Sequence, residues 1–484
     1  MSYLSVELVF TTFTHSGSDI IHLQALGMRI VVANSAKAVK ELFEKRSHIY
    51  SDKQQFVMLL ELSGWRRNWS LLPYGDYWRE HRRLFHQYFR PLAVPQYRPK
   101  QAKAVQRFLP LLLDAGNDFA QHVRYLAGSL ILDVVYAFDV QPGDPRIELA
   151  EKAVHTATEI MNGGIFLVDL FPILKHVPAW FPGARFKRQA AKWKALMDAM
   201  HEMPYGQFKA AMKQGSAQPC LTASLLSGAD GADTPELDEI FSNITGTAYA
   251  GGSDTTSIAL MTFIFAMVLY PEAQAFVQEE LDRVVGRDRL PEIDDESSLP
   301  RVTAVMYETL RCMALAFTAM FAFPLLRIPM IDRTSSSATP HRVMADDEYN
   351  GYHIPEGSII MGNSWAILHD EDTYPDPYSF NPKRFLSEDG KLREDVPKPM
   401  EAFGYGRRIC PGRHFALETL FTAVSNILAV FTIEKAVDED GKVVEVREEF
   451  VPHVFSPPKP FKARFKARYP EAESLIRSAA LADA

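Results

Sequence analysis

Residues 403–416 read FGYGRRICPGRHFA. One cysteine, Cys410, stands there among glycines and arginines, directly ahead of an apolar stretch of helical period. A thiol serves as a metal ligand or nucleophile only as its thiolate, so its pKa must come down. Arg407, Arg408 and Arg413, the backbone amides freed by Gly406 and Gly412, and the positive end of a helix opening after Pro411 all favour S⁻. An inert buried cysteine does not call for those glycines and arginines. A catalytic nucleophile wants a base within reach, and His414 is the candidate at hand. Neither an oxyanion-hole motif nor an Asn/His constellation accompanies it.

The rest of the chain narrows the context. It has 484 residues, 47% hydrophobic and 23% charged, enough for a large globular core in one large domain or two ordinary ones. Its 52 basic and 60 acidic residues leave a formal charge of −8, and no basic run suggests a nucleic-acid surface. The three cysteines, Cys220, Cys312 and Cys410, are widely spaced and form no CxxC pair. That argues against a disulfide framework and a cysteine zinc site, and for a reducing compartment. Two apolar stretches, 258–270 and 312–326, are short for a membrane span of ~20 residues. The sequons at Asn68 and Asn243 lack a secreted context.

Periodicity organises the chain. Residues 22–35, HLQALGMRIVVANS, alternate and are rich in β-branched residues, which predicts a strand hairpin, followed by a capped helix over 35–50. From about 73 to 300 most segments have helical period. Thr234-Pro235 opens the longest helix, which runs to Tyr270 before Pro271. At ~1.5 Å per residue it spans roughly 50 Å, the width of the molecule. Its middle reads AGGSDTTS, 250–257. Two glycines and three polar residues inside an apolar helix read either as a tolerated kink or as a deliberate opening for a flat ligand, with Asp254 and Thr255 as a proton path. Past 331 the chain turns to short strands with NG and PEG turns. The prediction is a mostly α single domain with a minor β part.

Glu308 and Arg311 share one helix face, and ExxR alone is an ordinary surface pair. Arg384 in FNPKRF supplies a second guanidinium for the same carboxylate.

Together these stretches resemble the cytochrome P450 family. Phe403, Gly406, Arg408, Cys410 and Gly412 fit its FxxGxRxCxG pattern at every fixed position. Trp78 and Arg82 match WxxxR, residues 251–256 match (A/G)GxDT(T/S), Glu308 and Arg311 match ExxR, and Arg384 lies in the PxRF region. The resemblance covers about residues 20–469, and the phrasing is similar to microsomal fungal enzymes of specialised metabolism. It implies the P450 fold, with the long central helix lying over haem b. Cys410 is then the axial iron ligand, whose thiolate favours O–O cleavage. Phe403 covers the sulfur side, with Gly406 and Gly412 shaping the loop, and Trp78, Arg82, Arg342 and Arg408 contact the propionates. Asp254 and Thr255 deliver protons, and Glu308, Arg311 and Arg384 form a structural triad. The implied activity is O₂-dependent monooxygenation of an apolar terpenoid, polyketide or alkaloid. Electrons come from NADPH–cytochrome P450 reductase, with cytochrome b5 as a second donor, at the cytosolic face of the endoplasmic-reticulum membrane. The pocket is expected along residues 56–72, 166–180 and 248–255 and near Val454 and Phe455.

Two departures from the family stand out. Residues 1–19 lack the expected anchor, which implies either a peripheral enzyme or a lost first exon. Between Arg311 and His341 lie 29 residues where the family has a much shorter connection, so 312–337 read as an atypical insertion from mis-splicing. Residues 470–484 read as a tail. The rival readings are a non-oxygenating haem protein, a peroxide-driven oxidase of the same fold, and an inactive product of a faulty gene structure.

Overall fold

The computed structural model describes residues 18–25, 27–114, 119–162, 166–228, 234–313, 340–451 and 457–482. The expectations for residues 1–17, for the insertion beyond Met313 and for Val454 and Phe455 lie outside them.

The alternating stretch forms the predicted hairpin. β1 (Ile20–Ala25) and β2 (Met28–Ala33) pair antiparallel with His22 opposite Val31. They open a five-stranded sheet with β3 (Asp52–Lys53), β4 (His341–Arg342) and β7 (Ile359–Gly362), in the order β1-β2-β7-β4-β3. β3 and β4 pair antiparallel, placing Lys53 opposite His341. Between β4 and β7, β5 (Asp347–Tyr349) and β6 (Tyr352–Ile354) form a hairpin turned at Asn350-Gly351. Both turn residues have positive φ, 51° and 80°, as the tight hairpin turn requires.

The helices that matter here are α1 (Asp76–Phe89), α2 (Phe119–Tyr136), α3 (Pro145–Asn162), α4 (Arg185–Lys213), α5 (Pro235–Leu269), α6 (Pro300–Met313) and α7 (Arg413–Val430). α5 is the predicted long helix. Thr234 accepts the Leu237 N–H at 3.2 Å, Pro235 is the first helical residue, and Glu236 and Asp238 lie in the first turn. By length and composition α5 is apolar enough to cross a membrane, but most of it is buried in protein: α2, α3, α4, α6 and α7 all pack on it. The apolar run 258–270 is core, with Leu260, Phe263, Ile264 and Met267 fully buried.

α5 passes through AGGSDTTS without interruption. The glycines there serve approach rather than bending. A Cβ on Gly252 would stand 2.6 Å from Ile131 of α2, and one on Gly246 would stand 2.1 Å from the His201 ring of α4. Each Gly costs about 1 kcal/mol of helix propensity and lets a neighbouring side chain reach the α5 backbone.

The C-terminal residues depart from the expected tail. Ala472–Ala482 is a helix against Arg98–Leu113, and its Ala472 and Ile476 are fully buried. Its apolar face adds to the core already formed by the helices.

The ExxR pair is not on the surface. Glu308 and Arg311 are fully buried. Arg311 Nε and Nη2 donate to both Glu308 oxygens at 2.8 Å, and Arg384 Nε reaches the same oxygens at 3.2 and 3.1 Å. The Asn381 N–H adds a fourth donor at 2.8 Å. The remaining guanidinium N–H groups hold the carbonyls of Leu368, Pro375, Asp376 and Ser379. Removing one partner of such a pair leaves buried charge uncompensated, at about 3–5 kcal/mol. Glu308→Ala is therefore expected to lower the stability of the haem-free protein by that amount in urea unfolding, and Glu308→Asp by less. A Glu308→Ala midpoint within error of wild type would contradict the role given to this cluster.

Candidate haem-thiolate active site

The cysteine loop is a backbone construction. The Cys410 N–H donates to the Phe403 carbonyl at 2.8 Å, closing the loop before α7 begins at Arg413. Gly406 has φ +55°, and a Cβ there would lie 2.0 Å from the Phe43 carbonyl oxygen. Gly406 thus also serves the close approach of the loop to residues 40–45. The Tyr405 hydroxyl is anchored on Ser364 at 2.6 Å.

The electrostatics of the sulfur also differ from those read in the sequence. Burial pushes the Cys410 thiol up, while the Gly412 N–H, Arg82 and Arg413 pull it down. Of the three loop arginines, only Arg413 acts on the sulfur. Arg407 turns away to the Tyr74 hydroxyl and ring. Arg408 donates to the Ser51 and Leu72 carbonyls at 2.7 and 2.8 Å and stacks 4.1 Å from the Trp78 ring. The second cation at the sulfur is Arg82 of α1, whose guanidinium donates to the Ile409 carbonyl at 2.8 Å. Burial outweighs these donors, so a metal bound at this sulfur would itself have to displace the thiol proton.

Cys410, Phe403 and Gly412 form one wall of a cavity of about 380 Å³. The opposite wall is α5, with Gly251, Asp254 and Thr255. A Cβ on Gly251 would meet nothing within 4 Å, so Gly251 is the opening predicted for a flat ligand. Thr255 Oγ1 donates to the Gly251 carbonyl at 2.7 Å. Burial lifts the Asp254 carboxyl to about 6, helped by Glu151 and opposed by Arg124 and His155. Phe56, Leu59, Trp65, Trp69, Val154 and Met161 close the sides.

Residues 166–180 do not line the cavity as expected. Asp169 accepts the Met58 N–H at 2.9 Å from outside the 57–62 turn, which places that turn between this segment and the cavity. Leu167, Phe171, Ile173 and Trp180 are instead exposed. The sequon residues Asn68 and Asn243 are buried, 8% and 2% exposed.

Basic side chains collect at the cavity edge. Lys53, His341 and Arg408 line it, and burial holds the His341 imidazole neutral, well below its ordinary pKa. His341 Nδ1 pairs with the Tyr50 carbonyl at 2.6 Å. Arg342, named from the sequence, faces away: its side chain is 41% exposed and meets Asp52 at 3.3 Å. Strand alternation sends neighbouring side chains to opposite faces, so on β4 His341 takes the inward place expected for Arg342. Lys53 and His341 escaped sequence reading because only the β3–β4 pairing brings them together.

Haem b is a flat dicarboxylate carrying one iron, and the residues fit it. Burial depresses the pKa of Lys53 strongly, of Arg82 to about 10 and of Arg408 to about 9. Among the described residues, Asp52 opposes this at Lys53 and Arg408. Buried guanidinium groups such as Arg82 and Arg408 suit a bound anion. Trp78 Nε1 is buried with no partner among the described residues, leaving a donor for a carboxylate.

Comparison with known proteins agrees. The family profile "Cytochrome P450" matches residues 5–320 and 331–465. The chain is 41% identical to cytochrome P450 monooxygenase ple1 of Rhodocybe pseudopiperita, covering 99% of this chain and 89% of that protein. It is 42% identical to cytochrome P450 monooxygenase 98 of Postia placenta, covering 96% and 86%. To tryptamine 4-monooxygenase of Psilocybe cyanescens it is 38% identical, covering 95% and 87%. The chain belongs to the cytochrome P450 family. It is a haem b monooxygenase, an oxidoreductase that incorporates molecular oxygen.

The raised Asp254 pKa predicts a pH-dependent stability. Folded, the group titrates near 6, against 3.8 when free. The folded state thus binds more protons between those values, and stability falls as pH rises from about 4 to about 6. Above that the deficit stays. The haem-free Asp254→Asn variant is expected to be more stable than wild type at neutral pH, by up to about 3 kcal/mol. The advantage should vanish near pH 3.5, and one independent of pH would argue against a raised Asp254 pKa.

Proposed function

We propose that Cys410 is the axial iron ligand and that Asp254 and Thr255, across the cavity, handle protons for oxygen activation. One observation carries this: the cysteine loop and the acid–alcohol pair line one and the same cavity. Bound haem b supplies the centre at which O₂ is activated. Arg408, Lys53, His341 and Trp78 Nε1 hold its carboxylates, while Phe403 shields the sulfur. Asp254 keeps a proton up to about pH 6 and passes it to the Thr255 hydroxyl, which now rests on the Gly251 carbonyl. One oxygen atom enters the substrate. The other leaves as water, with two electrons and two protons consumed.

The family uses small-molecule substrates and a redox partner. The proposed substrate is an apolar terpenoid, polyketide or aromatic alkaloid of fungal secondary metabolism, which the apolar side walls suit. The relative named tryptamine 4-monooxygenase supports the alkaloid end of that range. An NADPH–cytochrome P450 reductase is the proposed electron donor. Arg79, Arg83 and Arg407, exposed near the loop, suit an acidic partner. P450 enzymes of fungi are often membrane-associated, and the exposed Leu167, Phe171, Ile173, Trp180 and Phe181 suit an endoplasmic-reticulum surface. The family match breaks between 320 and 331, inside the insertion proposed over 312–337, and matches the residues on either side of that break.

The reduced protein with carbon monoxide is expected to show a strongly red-shifted Soret band that Cys410→Ala abolishes. With reductase and NADPH, Thr255→Ala is expected to lower product formed per NADPH consumed several-fold, because protons arrive at the wrong place or time. A histidine-like band in wild type would remove the thiolate assignment. Turnover on peroxide alone, with none on NADPH and reductase, would favour the peroxide-driven reading.

A further inference from the structure

Away from the cysteine loop and Asp254–Thr256 the cavity is largely apolar, and Asn68 and Thr247 add polar groups where α5 meets residues 65–72. Thr247 lies on the same face of α5 as Gly251 and Thr255, at steps of four residues. At ~1.5 Å per residue, Thr247 and Thr255 are about 12 Å apart along the helix, with the bare Gly251 between them. Thr247 Oγ1 accepts the Trp69 N–H at 3.2 Å. The hydroxyls of Thr245, Thr255 and Thr262 donate to carbonyls of the preceding turn. Thr247 makes no such bond among the described residues, so its proton is left to donate.

Asn68 stands beside Trp69 and also lines the cavity. It is 8% exposed. Its Oδ1 is used twice, by the Ser70 N–H at 3.1 Å and the Ser70 hydroxyl at 2.6 Å. Its amide nitrogen has no acceptor among the described residues. Two adjacent side chains thus present unused donors to an apolar cavity. Donors facing an apolar cavity gain free energy when a ligand oxygen accepts from them, and Trp69 Nε1 beside them is buried with no partner among the described residues. Neither donor carries a charge, which suits a neutral oxygen better than a carboxylate, and a protonated amine finds no acceptor in these two groups.

We infer that Asn68 and Thr247 are the polar anchor of the substrate pocket. They read one neutral acceptor oxygen, a ketone, hydroxyl or ether, on an otherwise hydrocarbon skeleton, about 12 Å along α5 from Thr255. This rests on the haem-thiolate reading above and narrows its substrate class. It also places the enzyme after a reaction that has already put oxygen on the skeleton.

The test compares two probes that differ by one oxygen, 5α-androstane and 5α-androstan-17-one. Each is titrated into the ferric haem-loaded enzyme, after the carbon monoxide spectrum has been recorded. Wild type is expected to bind the ketone about tenfold tighter, the effect of one to two hydrogen bonds. Thr247→Val, and Asn68→Asp, which keeps the oxygen that accepts from Ser70 but removes the donor, should each bring the ketone to within about threefold of the hydrocarbon. Thr247→Ser, which keeps the hydroxyl, should preserve the preference. A ketone that binds wild type no tighter than androstane, or a preference that survives both substitutions, overturns the proposal. Failure of the haem-thiolate reading shows separately in the carbon monoxide spectrum. If no haem loads, the same two probes are compared by the melting-temperature shift they give the haem-free protein. A larger shift with the ketone, lost in Thr247→Val and Asn68→Asp, then supports the anchor, and equal shifts in wild type overturn it.

Discussion

The structure turns on a carboxylate that water cannot reach. Glu308 is fully buried between Arg311 and Arg384, and an isolated charge there would be intolerable. The arginines in turn grip backbone carbonyls from residues 368, 375, 376 and 379. These belong to an irregular stretch between β7 and the cysteine loop, which has little regular structure to hold it. One ion cluster on α6 therefore does for this stretch what ladder hydrogen bonds do for a sheet. The cysteine loop hangs from it, and the haem cavity from the loop.

The second constraint is charge at the cavity edge. Burial lowers the pKa of Lys53, Arg82 and Arg408, and Asp52 opposes it at Lys53 and Arg408. Buried cations held in this way suit an anion, and the carboxylates of haem b are the anion proposed for them. Cys410 has the same logic in reverse. Its thiol is pushed up by burial against the pull of Gly412, Arg82 and Arg413, and in the proposed site bound iron would tip the balance. Cofactor binding and folding are thus coupled through electrostatics.

Much of this was legible in the sequence. The hairpin at 22–35 declared itself by alternation, and α5 by its cap, its prolines and its length. The loop residues and the acid–alcohol pair stood in short motifs where backbone and chemistry are local. Errors arose where a residue's partner lay far along the chain. Arg407 and Arg408 sit next to the cysteine in sequence but point elsewhere, while Arg82 comes from α1 to replace them. Arg342 and His341 are neighbours whose directions only strand pairing decides. Residues 166–180 are aromatic enough for a pocket wall, yet the 57–62 turn, clasped by Asp169, stands in front of them.

The sequence by itself determined the elements and the chemical parts, because capping, periodicity and the residue types around Cys410 act over a few residues. The tertiary structure decided which charges face which, since that depends on burial and strand pairing between segments hundreds of residues apart. Glu308 shows the division. As part of ExxR it is an ordinary surface string, and its removal from water makes it the joint that holds the site.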